Sequence, residues 1–581
     1  MTNRRAIGAA VAVALALAIS PVTRAPAQQP PTSLLPPALG QPVPAPQGRP
    51  LEPLQPVPAV PAAPLVPPVP SASPAPPLAP GPGSLGTIPA GSLGVIPQDA
   101  IGALIGGAFD ETLAMFDAPL PVPALQRAAR ELLIDRAFAE TSGAMARARA
   151  LYALGLAEDA AGAAITREPV SVAERAMAAR ALLAVGQYEQ ACRRADVESL
   201  PKDAEPEPTF ALLEVLAYCK LEQGTRDAAL LIANLLREQG GGDALFFAAL
   251  KLASEGAGSL PEADKVPAVR PVHLALMRRA GVAVAADYVM RADPALLALI
   301  ARSDSLDPSA RIAAGERMVE IGLAPAGSLV GLYGTTPLDE RMLMQAASGV
   351  APAGPLARAH LFALIAEAAS EAERIGFIST LYAQARQAGV DGAIAEAIGE
   401  DAAGIAPDPS LGSAALLMVE ILVRGDRARA AVGWVDAGEF PGPDGRLALS
   451  RFDAHRNRAL IAVLDPELGL GVAAGALGAD AGGGALSQPQ RDFVAVEVAV
   501  MSALGDFVPP MLVSIAERPS PTIPARSAAE VLEAIAPLAS ADPGKVDTAT
   551  LARAVGALSS YGLTGEARLL AAEALIRRGR G

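Results

Sequence analysis

Histidine, cysteine and aromatic residues are scarce in this chain, and each shortage removes a class of chemistry. The three histidines, His273, His360 and His455, lie far apart with no His-x-x-x-His or Glu-x-x-His spacing. A zinc site needs roughly three or four ligands with local pairing, so no metal is expected. The two cysteines, Cys192 and Cys219, have no histidine beside them in sequence to generate a thiolate. Aromatic residues make up 3% of the chain and Trp434 is the lone indole, too little to line a long sugar-stacking groove. There is no Gly-x-Ser-x-Gly elbow, no phosphate-cradling Gly-x-x-x-x-Gly-Lys and no dinucleotide Gly-x-Gly-x-x-Gly between a strand and a helix. Basic residues are also in deficit, 47 against 61 acidic ones. The resulting charge of −14 repels phosphate backbones and makes nucleic acid a poor partner. Acidic pairs such as Glu371 with Glu373, or Asp339 with Glu340, read as solvated faces or first-turn dipole partners. Acid/base work would need one of them held dry beside the other. The expectation is a protein without cofactor, metal or catalytic residues.

Alanine, proline and glycine are plentiful. Residues 1–27, "MTNRRAIGAAVAVALALAISPVTRAPA", have a basic start at Arg4 and Arg5, an apolar core from Ala6 to Ile19 and a small-x-small exit, the layout of a cleaved secretory signal. The core is shorter than a span of about 20 residues, which leaves an uncleaved anchor as the alternative. No apolar pair follows the arginines, favouring the general secretory route over twin-arginine export. The expected location is therefore the periplasm, with a mature chain starting near Gln28, no membrane span after cleavage, and three fewer arginines.

Residues 28–99 form a proline-rich linker, expected to be disordered or extended polyproline II rather than packed. Its length to about Pro82, at about 3.1 Å per residue, reaches on the order of 170 Å. A spacer is the plain reading, and a strip for a proline-recognising groove is the alternative. The linker closes on a tandem "SLGTIPAG", 84–91, and "SLGVIPQD", 92–99.

From residue 100 the pattern is all-α, in a helical region 100–445 and a C-terminal helical region 446–581 interrupted by a Gly-rich connection at 467–490. "PTFALLEVLAYCKLEQG" puts Leu212, Val215, Leu216 and Cys219 on one helix face, and "TRDAALLIANLLREQ" does the same with Ala228, Leu231, Ile232, Leu235 and Leu236. Gly224 between them suits a left-handed helix end, so the two make an antiparallel hairpin. "SVAERAMAARALLAVG" and "QYEQACRRADVESL" repeat the plan about Gly186.

In "GQYEQA", Gly186, Tyr188 and Ala191 match the Gly-x-Tyr-x-x-Ala corner of tetratricopeptide repeats, which residues 145–240 resemble. Corners of similar spacing fall at Gly155, Gly224, Gly425 and Gly562. Those at 155, 186 and 224 are 31 and 38 residues apart, around the roughly 34 of that family. The resemblance implies an irregular α-solenoid of stacked hairpins that binds another protein along an extended face. The chain also resembles alanine-rich exported bacterial proteins, which implies no activity. The expected role is a non-enzymatic scaffold or adaptor for another cell-envelope protein. The alternative is an enzyme of, or accessory to, cell-wall polysaccharide metabolism, by analogy with cell-wall lyases that carry helical superhelix domains.

If consecutive hairpins stack, Cys192 on a returning helix and Cys219 on the next outgoing helix can face each other. An even cysteine count in an oxidising compartment favours a disulfide, and two buried free thiols are the other possibility. Mass mapping of the exported protein without reductant is expected to find a Cys192–Cys219 crosslinked peptide; two free thiols would refute it.

Overall fold

The computed structural model describes residues 107–580 apart from 135–143, 166–168, 170, 197–204, 349, 351–352, 443–444, 446, 469–485, 517–523 and 540. The expected signal, the proline-rich linker with its tandem repeat, and most of the Gly-rich connection lie outside these residues. Among the described residues the regular elements are helices, and the only β features are isolated bridges at Val269–Ala292 and Pro441–Leu447. The fold is all-α.

Helix hairpins follow the glycine punctuation. Ala144–Ala153 pairs with Ala157–Ile165, Val172–Ala184 with Tyr188–Ala195, and Pro206–Glu222 with Arg226–Glu238. Val172–Ala184 also packs on Ala157–Ile165 and on Pro206–Glu222, so these three hairpins stack in order. Their corners share one mechanism. At Gly186 (φ +78°) the glycine N–H donates to Leu183 O at 3.0 Å and Gln187 N–H to Leu182 O at 2.9 Å. This satisfies the last carbonyls of the helix with a left-handed residue that glycine adopts without a Cβ clash. Gly155, Gly224 and Gly562 do the same, at φ +85°, +77° and +99°.

The corner expected at Gly425 is built differently. There the left-handed residue is Asp426, at φ +55°, with Arg427 N–H donating to Leu422 O at 2.7 Å. Gly425 serves a crossing instead: a β-carbon on it would lie 3.1 Å from the Cα of Gly399 and 3.2 Å from the Ala395 carbonyl oxygen. The bare backbones let Ala415–Arg424 press against Asp391–Ala403.

Alanine supplies much of the contact surface. Val172–Ala184 buries Ala176, Ala178, Ala179, Ala181 and Ala184, and Arg226–Glu238 buries Ala229, Ala233 and Leu236. This corrects the face expected from the leucine spacing. Leu231 is 71% exposed and Leu235 41%, because the helix turns its small side chains to Pro206–Glu222 to approach it closely.

Stacking of neighbours is not the whole arrangement. Pro271–Arg279 packs on both Val172–Ala184 and Pro206–Glu222, and Thr564–Arg578 packs on Ala415–Arg424, Arg451–Leu464, Gln488–Leu504, Thr548–Ser560 and, near the other end of the chain, Pro123–Ile134. A helix array in which each repeat touches only its neighbours has no such closing contacts. The reason is visible in Thr564–Arg578 itself. Ala567, Leu570, Ala571, Ala572, Ala574, Leu575 and Ile576 are all buried, so its apolar surface exceeds one stripe and must be surrounded. The described residues all belong to one compact unit, and Ala428–Glu439 packs on Arg451–Leu464.

Gly425→Ala forces backbone apart at the Gly399 crossing and is expected to cost about 1–3 kcal/mol. Gly224→Ala, with open space around it, is expected to cost only the left-handed penalty of about 1–2 kcal/mol. Urea unfolding of both variants checks the contrast, with the larger loss expected for Gly425→Ala.

Candidate functional site

The residues marked by the sequence fall into structural positions. Cys192 and Cys219 are joined in a disulfide that ties Tyr188–Ala195 to Pro206–Glu222, with Cα atoms 5.5 Å apart. Beside it, the Arg278 guanidinium lies 3.9 Å over the Tyr188 ring, and that ring is 6.1 Å from Tyr218. Ala191 is buried at the same junction. Each histidine is buried and engaged with a different part of the fold. His273 Nδ1 accepts the Arg270 N–H at 3.1 Å, closing a helix start, while burial and the Arg270 charge push its pKa down to about 3. His360 Nε2 accepts the Asp339 N–H at 2.9 Å, and His455 Nε2 is 2.8 Å from Glu497 Oε2. The acidic pairs sit in first turns. Glu373 accepts the Ala369 N–H at 2.8 Å, and Asp339 caps Glu340–Ala347 by accepting the Met342 N–H at 2.8 Å. Among the described residues no three His, Cys, Asp or Glu side chains are grouped to hold a metal ion.

A site that no local motif announces lies under the C-terminal helix. Arg424, the last residue of Ala415–Arg424, donates from Nη1 to Asp391 Oδ2 at 2.6 Å and Tyr382 Oη at 3.1 Å, and from Nη2 to Glu573 Oε1 at 2.7 Å. Arg580 donates to the same Asp391 oxygen at 2.8 Å and to Glu420. Tyr382 donates to Glu420 at 2.6 Å. Arg577 donates to Glu573 at 2.6 Å and to the Pro121 carbonyl at 3.1 Å. Burial acts to raise the Asp391 pKa, but Arg424 and Arg580 outweigh it and hold the carboxyl down to about 2. Glu420 is lowered by the same two guanidiniums against the same opposition.

Next to this cluster is a half-open recess lined by Arg127, Glu320, Glu396, Arg424, Glu573 and Arg577 over small apolar residues. Its inner volume of about 40 Å³ has room for about three waters. Glu320 Oε2 accepts the Ala393 N–H at 2.8 Å, and a β-carbon on Gly392 would come within 2.9 Å of that carboxylate. Glu396 stands one helical turn beyond Gly392 on the same face. Among the described residues, Glu396 and Arg127 make no hydrogen bond or ion pair. Burial raises the Glu320 pKa to about 8 and that of Glu396 to about 7. Carboxyls in that range could act as general acids near neutral pH, although the recess offers space for water rather than a sugar ring. The one sequence signal for this site is "GAIAEAIG", a single glutamate on an otherwise apolar helix face.

A second feature faces outward. On Arg226–Glu238, Leu231 and Leu235 stand one turn apart, flanked by the half-exposed Ala228 and Ile232.

Arg424→Ala removes the guanidinium shared by Asp391 and Glu573, leaving each only its second partner, Arg580 and Arg577, and is expected to lower stability by about 1.5–3 kcal/mol. Because Asp391 is held below its ordinary value of 3.8, the wild-type protein loses this contribution as pH falls from 3.8 towards about 2. Thermal unfolding across that range should show a shallower acid loss in the variant.

No family model, no curated protein and no solved structure matches the chain.

Proposed function

We propose that the protein is an exported, non-enzymatic scaffold that holds another cell-envelope protein against the outward face of Arg226–Glu238. The observation that carries this reading is the exposure of Leu231 and Leu235 on one face of a helix whose small residues do the internal packing. Apolar surface left in water is a feature of interaction sites. The adjoining hairpin is pinned by the Cys192–Cys219 disulfide, which keeps the face ordered before a partner arrives and lowers the entropic cost of binding. The signal and proline-rich spacer expected from the sequence suit this role by delivering the body outside the cytoplasm and allowing it reach.

A second reading, an enzyme of or accessory to cell-wall polysaccharide metabolism, draws support from the raised pKa values of Glu320 and Glu396. Turnover of purified cell-wall material, lost in Glu396→Gln, would favour it over the scaffold.

Crosslinking in intact cells with the tagged full-length protein tests the first reading. The wild type is expected to capture a discrete envelope protein. The Leu231→Asp/Leu235→Asp double variant should reduce that capture at least about tenfold, with its thermal unfolding little changed because both side chains are exposed. Equal capture by both proteins would overturn the assignment.

A further inference from the structure

The C-terminal helix is surrounded by apolar contacts, yet the charges beneath it do not pair off. Glu320 enters the recess from the end of Pro308–Glu320, and Glu396 from Asp391–Ala403. Of the two arginines that act on these carboxyls, Arg424 is already engaged and Arg127 is not, and the other arginines of the seam are committed as well. Arg424 is bound to Asp391 and Glu573, Arg577 to Glu573 and, at 3.5 Å, Asp542, and Arg580 to Asp391 and Glu420. Arg127, from Pro123–Ile134, lines the recess without an ion pair among the described residues. Burial is the largest influence on both carboxyls and raises them; the Ala393 N–H and Arg424 pull Glu320 down and Arg127 and Arg424 pull Glu396 down, while Asp391 and Glu573 push Glu320, and Asp426 and Glu573 push Glu396, the same way as burial. Burial in this narrow seam favours the neutral carboxyl, because Arg424 is already shared between Asp391 and Glu573 and Arg127, though near Glu396, makes no ion pair with it.

We propose that this seam is a pH-sensitive clasp: it holds Thr564–Arg578 against Pro123–Ile134 and Ala415–Arg424 while Glu320 and Glu396 carry protons, and loosens when they give them up. The direction follows from proton linkage. Both groups titrate higher in the folded body, at about 8 and about 7, than the ordinary glutamate value of 4.5. The folded state thus binds more protons than the unfolded one between those limits, and stability falls as pH rises through the window. Asp391 and Glu420 work in the opposite sense and on the acid side, so the clasp is tightest in mildly acid solution. This inference is independent of the docking face on Arg226–Glu238.

Amide hydrogen exchange on the full chain at pH 6 and pH 8.5, corrected for the intrinsic chemical rate, reads the clasp directly. Protection in 123–134 and 564–578 is expected to fall at the higher pH by at least about tenfold, the equivalent of one unit of pKa difference, relative to protection in 206–222. The Glu320→Gln/Glu396→Gln double variant, which mimics the protonated pair, should keep the low-pH protection at both values. Glu396→Gln alone leaves the acceptor of the Ala393 N–H in place and should remove part of the response, which makes it the deciding variant if the double variant folds poorly. Equal protection of the wild type at the two pH values, protection that rises at pH 8.5 as Arg127 closes on an ionised Glu396, or an unchanged response in Glu396→Gln would each overturn the proposal.

Discussion

Close approach between alanine-lined helices is the constraint on which the other features depend. A methyl group on each side of a contact lets backbones come near each other and suits the helix intrinsically, but it offers little shape to fix one helix against the next. Polar pairs supply that register. Glu316 is held by Arg358 through two hydrogen bonds of 2.7 and 2.5 Å and by Tyr333 at 2.7 Å, joining three helices. Arg270 spans Glu214 and Asp243, and Arg568 grips Asp506 at 2.8 and 2.9 Å. A slip of one helix would leave such a charge buried alone, at about 3–5 kcal/mol, so errors that alanine contacts would tolerate are penalised.

The same constraint explains which parts of the structure the sequence discloses. Helix ends at Gly155, Gly186, Gly224 and Gly562 are local events, decided by a glycine after an apolar run, and they stand where the sequence puts them. The orientation of Arg226–Glu238 is not local. Hydrophobic spacing selects its leucines as the inner face, whereas the neighbouring helix accepts Ala229 and Ala233 and turns Leu231 outward. The corner after Ala415–Arg424 misleads for a related reason, since Gly425 is required by a helix crossing and the turn falls on Asp426.

The charged seam was hidden more completely. Its pairs, Arg424 with Glu573 and Glu320 with the Ala393 amide, join segments remote in sequence, and none follows a spacing rule. Even the helix start at Arg270 escapes the usual signature, because its N–H is accepted by the His273 ring rather than by a glutamate. Only the isolated glutamate in "GAIAEAIG" gives a hint, and its meaning depends on what folds over it. The outward leucines and the inward carboxyls therefore came from tertiary structure, while the hairpins that position them were readable from the chain.

The packing of Thr564–Arg578 on Pro123–Ile134 also bears on the order of events during synthesis. Arg577 bonds the Pro121 carbonyl across 456 positions of the chain, so the early helices are made long before the helix that completes their surroundings. Contacts of such long sequence separation slow folding, and a nascent chain that has not yet reached Thr564–Arg578 lacks the contacts that helix makes. For a protein exported as proposed here, that delay keeps the chain threadable through a secretion channel, and the body gains the contacts of Thr564–Arg578 only after that segment has crossed.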